Sequence, residues 1–128
     1  MVLLDDLIGI QYKVHGRGDG GYDCWGLVME VLKRVGINLP DFLYDSDDPK
    51  TQKAVYSLAV SGIQHEKTDR PKMWCVVMLK VYGEPVHSAV YIGHGRIIHC
   101  SKRGVAIENL KLWENRIEGY YEIKENND

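Results

Sequence analysis

Cys24 follows Asp23 and opens a run of helical periodicity, which puts it in the first turn of a predicted helix. Unpaired amide hydrogens and the macrodipole favour a thiolate there. The same amides can hold the oxyanion formed when that sulfur attacks a carbonyl. A cysteine is by itself more often a small buried apolar residue, so position is what singles this one out. His87 and His99 lie on consecutive predicted strands joined at Gly93-His94-Gly95. A hairpin centred near residue 93 or 94 pairs positions whose numbers sum to an even value. Two odd-numbered residues therefore share a face, opposite or diagonal to one another. One imidazole can take the thiol proton while the second holds the first in the useful tautomer. Nucleophile, base and orienter are all present.

Other chemistries fit less well. A zinc site from Cys24, His87 and His99, with Cys100 as a possible fourth ligand, would have none of the close ligand pairs usual in structural sites. Cys100 also follows His99 directly, so on a strand it points to the opposite face. Gly16, Gly18 and Gly21 satisfy G-x-G-x-x-G before a helix, but the strands are bunched at the far end of the chain. No βαβ unit can follow, and a lone match is weak evidence for a dinucleotide. No Lys-Ser or Lys-Thr pair ends this loop, which excludes a P-loop. The loop reads as flexible backbone giving access to Cys24. The acidic stretch from Pro40 to Pro49 lacks calcium spacing and reads as a solvated loop. His15, His65 and His94 lie in or beside predicted loops and turns.

The elements that must position the three residues follow from periodicity. Leu3, Leu4, Leu7 and Ile8 suggest a short first helix. Leu27, Val28, Val31, Leu32 and Val35 share one helical face, and Gly36 stops the pattern. That predicts a helix from Cys24 to about Val35, with Asp23 as N-cap. A second helix is predicted from about Lys50 to Val60. Beyond Pro71 come short β-rich runs at about Cys75–Val81, Val86–Ile92, Arg96–Cys100, Val105–Glu108 and Gly119–Ile123. Helices followed by a strand meander predict an α+β fold, with N-terminal helices packed on a mostly antiparallel sheet of about five strands. Residues 1–128 read as a single domain.

Composition narrows the partners. Sixteen Lys+Arg against 18 Asp+Glu give a net charge of −2 over 128 residues. No global field exists to hold nucleic acid or an anionic membrane. Apolar runs are a few residues long, far short of the roughly 20 a membrane helix needs. Three cysteines are too few for a disulfide framework and read as free thiols. Met1-Val2-Leu3-Leu4 runs straight into Asp5 and Asp6, which is unlike a secretory signal. The expectation is synthesis in the cytoplasm.

Gly21-Tyr22-Asp23-Cys24-Trp25-Gly26-Leu27-Val28 resembles the D-C-x-G-L-[VI] nucleophile motif of the NlpC-type cysteine peptidases, the papain-like cell-wall endopeptidases of bacteria and phages. His87-Ser88-Ala89-Val90-Tyr91-Ile92-Gly93 resembles the family's H-[VS]-[GA]-[IV]-Y-[IVL]-G strand, and Arg96-Ile97-Ile98-His99-Cys100 the next one. Gly9-Ile10-Gln11-Tyr12 resembles its G-x-P-Y segment. The resemblance implies a papain-like core with Cys24 as nucleophile, His87 as base and His99 as orienter. It also implies that Tyr12 lines the substrate groove and that Asp23 meets the free amine of a stem peptide. Trp25 stands where bacterial wall hydrolases commonly have Ser, and is counted with the substrate-binding residues. Together with Gly36-Ile37-Asn38-Leu39-Pro40-Asp41, it is similar to the phage tail-associated branch. Gln11 replaces the usual proline, and Trp74-Cys75 replaces a usual G-D pair.

The reading is an endopeptidase of peptidoglycan stem peptides, cutting between D-glutamate and diaminopimelate or lysine, with no metal or organic cofactor implied. A tail-associated enzyme would work from the virion, with other tail proteins as possible partners. The rivals are a papain-like amidase or acyltransferase of the CHAP type, and an inactive structural tail component.

Overall fold

The computed structural model describes residues 2–41 and 63–124. The predicted second helix and most of the acidic stretch lie outside these residues. The fold is α+β: one α-helix, α1 (Cys24–Arg34), packs on a six-stranded antiparallel sheet. The strands are β1 (His65–Thr68), β2 (Val76–Val81), β3 (Glu84–Gly93), β4 (Arg96–Ser101), β5 (Gly104–Asn109) and β6 (Ile117–Ile123), in the order β1-β6-β2-β3-β4-β5.

Helix α1 forms where the pattern predicts it. The Asp23 carboxylate accepts from Gly26 N at 2.6 Å, satisfying one first-turn amide. Leu27, Val28, Val31 and Leu32 are fully buried, each worth about 1.5–3 kcal/mol relative to exposure. At the other end Gly36 has φ of 89° and donates to Lys33 O, while Ile37 donates to Leu32 O. These two bonds are the Schellman pattern, and they place Gly36 at C′.

The apolar alternation of the strands builds two cores. Val76, Met78, Val90, Ile92, Ile98, Cys100, Tyr121 and Ile123 join the core that includes α1. Cys75, Val77, Leu79, Ala89 and Ile97 form the other, packed with Leu110 and Trp113 of the 3-10 turn Leu110–Trp113. Two hairpins close on two-residue turns, Tyr82-Gly83 and His94-Gly95, with all four residues at positive φ. That is the turn geometry matched to strand twist.

Two expectations need correction, and the sheet extends beyond the five predicted strands. The predicted first helix is only a 3-10 turn at Asp5–Leu7. It is held to α1 by Arg34, which grips both Asp6 oxygens (2.6 and 2.8 Å) and Glu30 (2.8 Å). The sheet has a sixth strand, β1, at the edge beside β6. Its sequence His-Glu-Lys-Thr is exposed and carries no apolar alternation, as edge strands often do not. The glycine loop is cross-bonded: Gly16 donates to Lys13 O (2.8 Å), Gly18 to Gly21 O (3.0 Å) and Tyr22 to Gln11 O (3.1 Å). A Cβ at Gly26 would lie 2.0 Å from Gly16 O, so the loop and helix start meet as bare backbone.

Candidate active site

Cys24 is the first residue of α1 and keeps partial exposure. Of the first-turn amides, Gly26 N donates to the Asp23 side chain and Leu27 N to the Asp23 carbonyl. Those of Cys24 and Trp25 meet no backbone carbonyl among the described residues, and the Trp25 amide favours the Cys24 thiolate. They are the donors available to an oxyanion. Burial pushes the Cys24 thiol above its ordinary pKa; Ser88 opposes that shift and Asp23 adds to it. The expected depression by the helix start is therefore outweighed by burial.

His87 and His99 share a face as expected. Ala89 pairs with His99, so His87 lies one diagonal away on the same side of the sheet. His87 Nε2 and His99 Nδ1 are 2.8 Å apart, with ring centroids 5.1 Å apart at 77°. His99 is 4% exposed. Its Nε2 lies 2.6 Å from Glu108 Oε1, which also accepts from Trp113 Nε1 at 3.0 Å. The Trp113 ring stacks against His87 at 5.9 Å and 26°, and meets His99 edge-on. The Arg116 guanidinium covers Trp113 at 4.2 Å. Burial, and then the neighbouring His99, push His87 down to about 3. Burial lowers His99 as well, against the pull of Glu108. Both imidazoles are neutral at rest.

Among the described residues no hydrogen bond joins Cys24 to His87, and His87 Nδ1 has no partner. Ser88, next to His87 in the chain, is the β3 residue that meets the Cys24 thiol. Strand alternation turns Ser88 to the α1 side, where its fully buried hydroxyl approaches the Cys24 thiol closely enough to favour the thiolate. It does so without a hydrogen bond of ordinary geometry. Pairing of β3 with β4 begins only at Ala89 and His99, so the sheet is open on the β4 side of His87. The chain entering α1 crosses near this opening, where Cys100 Sγ donates to Tyr22 O at 3.2 Å. Catalytic contacts are commonly long in the absence of substrate and tighten when it binds.

The remaining expected site residues sit differently. Trp25 is 2% exposed and packs in the core around α1, so its ring is not on a surface open to substrate. The bulk of an indole in the apolar seam explains this burial. Asp23 is 1% exposed, and its Oδ1 is taken by Gly26 N and by Arg17 Nη1 at 2.8 Å. Tyr12 is half-buried and bridged to Tyr22. Asp23 Oδ2, Trp25 Nε1 and Ser88 Oγ are buried without a hydrogen-bond partner among the described residues. All three atoms belong to residues next to Cys24 or His87 in the chain, and such unsatisfied groups gather where a site has work to do.

Glu108 and Trp113 are functional candidates that the sequence reading missed. A signal existed for Glu108. The β4–β5 pairing sets Ala106 opposite His99, so Glu108, two residues on, is the acid diagonal to that imidazole on its own face. Trp113 comes from the 3-10 turn, whose start is fixed by Asn109 Oδ1 accepting from Lys111 N. No periodicity announces it.

The NlpC/P60 family model matches residues 9–121. The chain is 31% identical over 112 residues to the gamma-DL-glutamyl hydrolase of Bacillus subtilis, covering 83% of this chain and 24% of that protein. It is 28% identical over 116 residues to a probable peptidoglycan endopeptidase of the same organism, covering 88% and 30%. The chain thus spans about a quarter to a third of the length of these curated relatives. The crystal structure of an NLP/P60-family protein similar to lipoprotein, from Staphylococcus aureus, superposes with a TM-score of 0.66 at 20% identity. That superposition covers 94% of this chain and 39% of the other, and shows a common fold.

Proposed function

We propose that this chain, which belongs to the NlpC/P60 family, is a thiol-dependent endopeptidase of peptidoglycan stem peptides. The observation that carries the reading is the hydrogen-bonded pair of His87 and His99 on the strands that pack against the Cys24 helix, with His87 Nδ1 unpartnered among the described residues. In this reading the Cys24 proton passes to His87 Nδ1 as Sγ bonds to the scissile carbonyl carbon. The amides of Cys24 and Trp25 hold the oxyanion. The carbon–nitrogen bond then breaks, and the imidazolium returns the proton to the leaving amine. Water, giving its proton to His87, attacks the thioester; the carboxylate departs and the thiol is restored.

The D-glutamyl bond to diaminopimelate or lysine is the proposed target. It is supported by the family resemblance and by one relative bearing the name gamma-DL-glutamyl hydrolase. Asp23 would meet the free amine of the stem through its unpaired Oδ2, with Tyr12 beside the groove. Digestion of purified sacculi by wild type and by Cys24→Ala tests the activity. A new amino group on the third stem residue, seen by mass and absent with the variant, is expected. Freed muramic acid would mean an amidase instead, and no release by either protein would favour an inactive tail scaffold.

A finer reading assigns the chain to the phage tail-associated branch, opening the wall during DNA entry. It is supported by Trp25 after the nucleophile and by the run Gly36–Asp41. Proteomics of purified virions tests it: abundance only in the late infected cytoplasm would indicate a lysis enzyme.

A further inference from the structure

Glu108 accepts from two donors, His99 Nε2 at 2.6 Å and Trp113 Nε1 at 3.0 Å, through the same oxygen. Its side chain is 34% exposed, while that of His99 is 4% exposed. An ionised carboxylate accepts and never donates. Burial pushes Glu108 up, but the Trp113 hydrogen bond and His99 outweigh it and hold the acid below its ordinary pKa, so it is ionised at neutral pH.

The proton positions of the whole chain follow. With Glu108 ionised, His99 Nε2 must carry hydrogen. A neutral imidazole has only one, so His99 Nδ1 is bare and must accept. The group facing it at 2.8 Å is His87 Nε2, which must therefore donate. His87, neutral in turn, is left with a lone pair on Nδ1, its other ring nitrogen. We infer that Glu108 is a positioning residue that fixes the tautomers of two imidazoles in series and leaves His87 Nδ1 as the basic nitrogen. Trp113 belongs to the same device: it donates to the oxygen that receives His99, and its ring stacks on His87. When His87 takes a proton, the charge is compensated along the chain by Glu108 without a further proton moving.

This inference deepens the peptidase reading and rests on it for the role of His87. Its test needs no substrate. Two-dimensional long-range 1H–15N spectra of histidine-labelled protein, at a pH where both rings are neutral, report which nitrogen bears hydrogen. His87 and His99 are both expected with Nε2 protonated and Nδ1 bare. In Glu108→Ala the two rings are expected to lose that single assignment and show mixed or reversed tautomers. Glu108→Gln, whose amide oxygen still accepts, is expected to keep it. Hydrogen on His87 Nδ1 in the wild type overturns the inference even if no variant folds. So does an unchanged pattern in a folded Glu108→Ala. On sacculi, Glu108→Ala is expected to lower kcat by roughly tenfold or more with KM little changed, below the ~10²–10⁴-fold owed to the base itself. Equal kcat for Glu108→Ala and wild type would also overturn it. Correct tautomers in a wild type that releases nothing from sacculi would instead refute the peptidase reading and leave the tautomer assignment standing.

Discussion

Arg17 Nη1 lies 2.8 Å from Asp23 Oδ1, so the cap of the helix that presents Cys24 is also half of an ion pair. The same guanidinium reaches Gly16 O through Nη1 and Asp41 through Nε. One residue of the glycine loop thereby ties the loop, the helix start and the segment after the helix together. Placement of the nucleophile depends on an acid that is itself nearly buried.

Asp23→Ala is expected to destabilise the protein by about 2 kcal/mol, because it removes the cap and one of the two carboxylates that hold the Arg17 guanidinium. Asp23→Asn still caps through its amide oxygen and should lose clearly less. Urea melts of the two variants beside wild type measure both. Equal losses would mean that the charge alone matters and the cap does not.

Alkylation should mark Cys24 first among the three thiols. Burial drives the Cys75 and Cys100 thiols up to about 11 and leaves both residues nearly inaccessible. Cys24 is also raised, but it keeps partial exposure and has Ser88 opposing the shift. Mass mapping of iodoacetamide adducts near neutral pH checks the order. Faster labelling of Cys75 would remove Cys24 from its assigned role.

Ser88→Ala should slow that labelling. The hydroxyl is fully buried, has no hydrogen-bond partner of ordinary geometry among the described residues, and favours the Cys24 thiolate. Its removal takes away the stabilisation of the anion and no other pairing. A several-fold slower alkylation at pH 7, with unchanged thermal stability, is the expected result. An unchanged rate would mean that the hydroxyl does not act on the sulfur.

The helix, five of the strands and the His87–His99 pairing were legible because each rests on local periodicity. Apolar spacing marks α1, alternation marks the inner strands, and hairpin parity places two imidazoles on one face. What escaped rests on context. Edge strand β1 buries little and so shows no alternation. Burial outweighs the helix start at Cys24, and burial is a property of the packed chain. Trp25 reads as a substrate contact in sequence, whereas in the fold it fills the seam beside α1. Glu108 needed the register of a second hairpin before its relation to His99 could be seen.

Acid should destabilise the fold through the two imidazoles. His87 sits at about 3 when folded against 6.5 when unfolded, and His99 is shifted the same way. Between these values the unfolded chain binds the proton and the folded chain does not, so stability falls as pH falls. Glu108, lowered in the fold, adds a loss of the same sign at lower pH. Each fully titrating group contributes up to about 1.4 kcal/mol per pH unit. Urea midpoints from pH 7 to 4 should decline, and His87→Gln should flatten the slope. A midpoint that rises on acidification would contradict the buried neutral pair.

His87 and His99 should respond differently to replacement. His87→Ala removes the base, worth about 10²–10⁴-fold in rate. His99 acts through His87. An asparagine at 99 can accept from His87 Nε2–H with its carbonyl oxygen while its amide nitrogen points toward Glu108, which keeps the chain of donors in the same sense. A glutamine can accept in the same way. His99→Asn or His99→Gln should therefore retain measurable turnover of sacculi, whereas His99→Ala, which leaves both His87 Nε2 and Glu108 unpaired, should lose more. Folding of every variant is checked by circular dichroism, and rates are compared at one substrate concentration well below saturation. Equal loss in His87→Ala and His99→Asn, with folds intact, would mean that the two imidazoles do not divide the work as base and orienter.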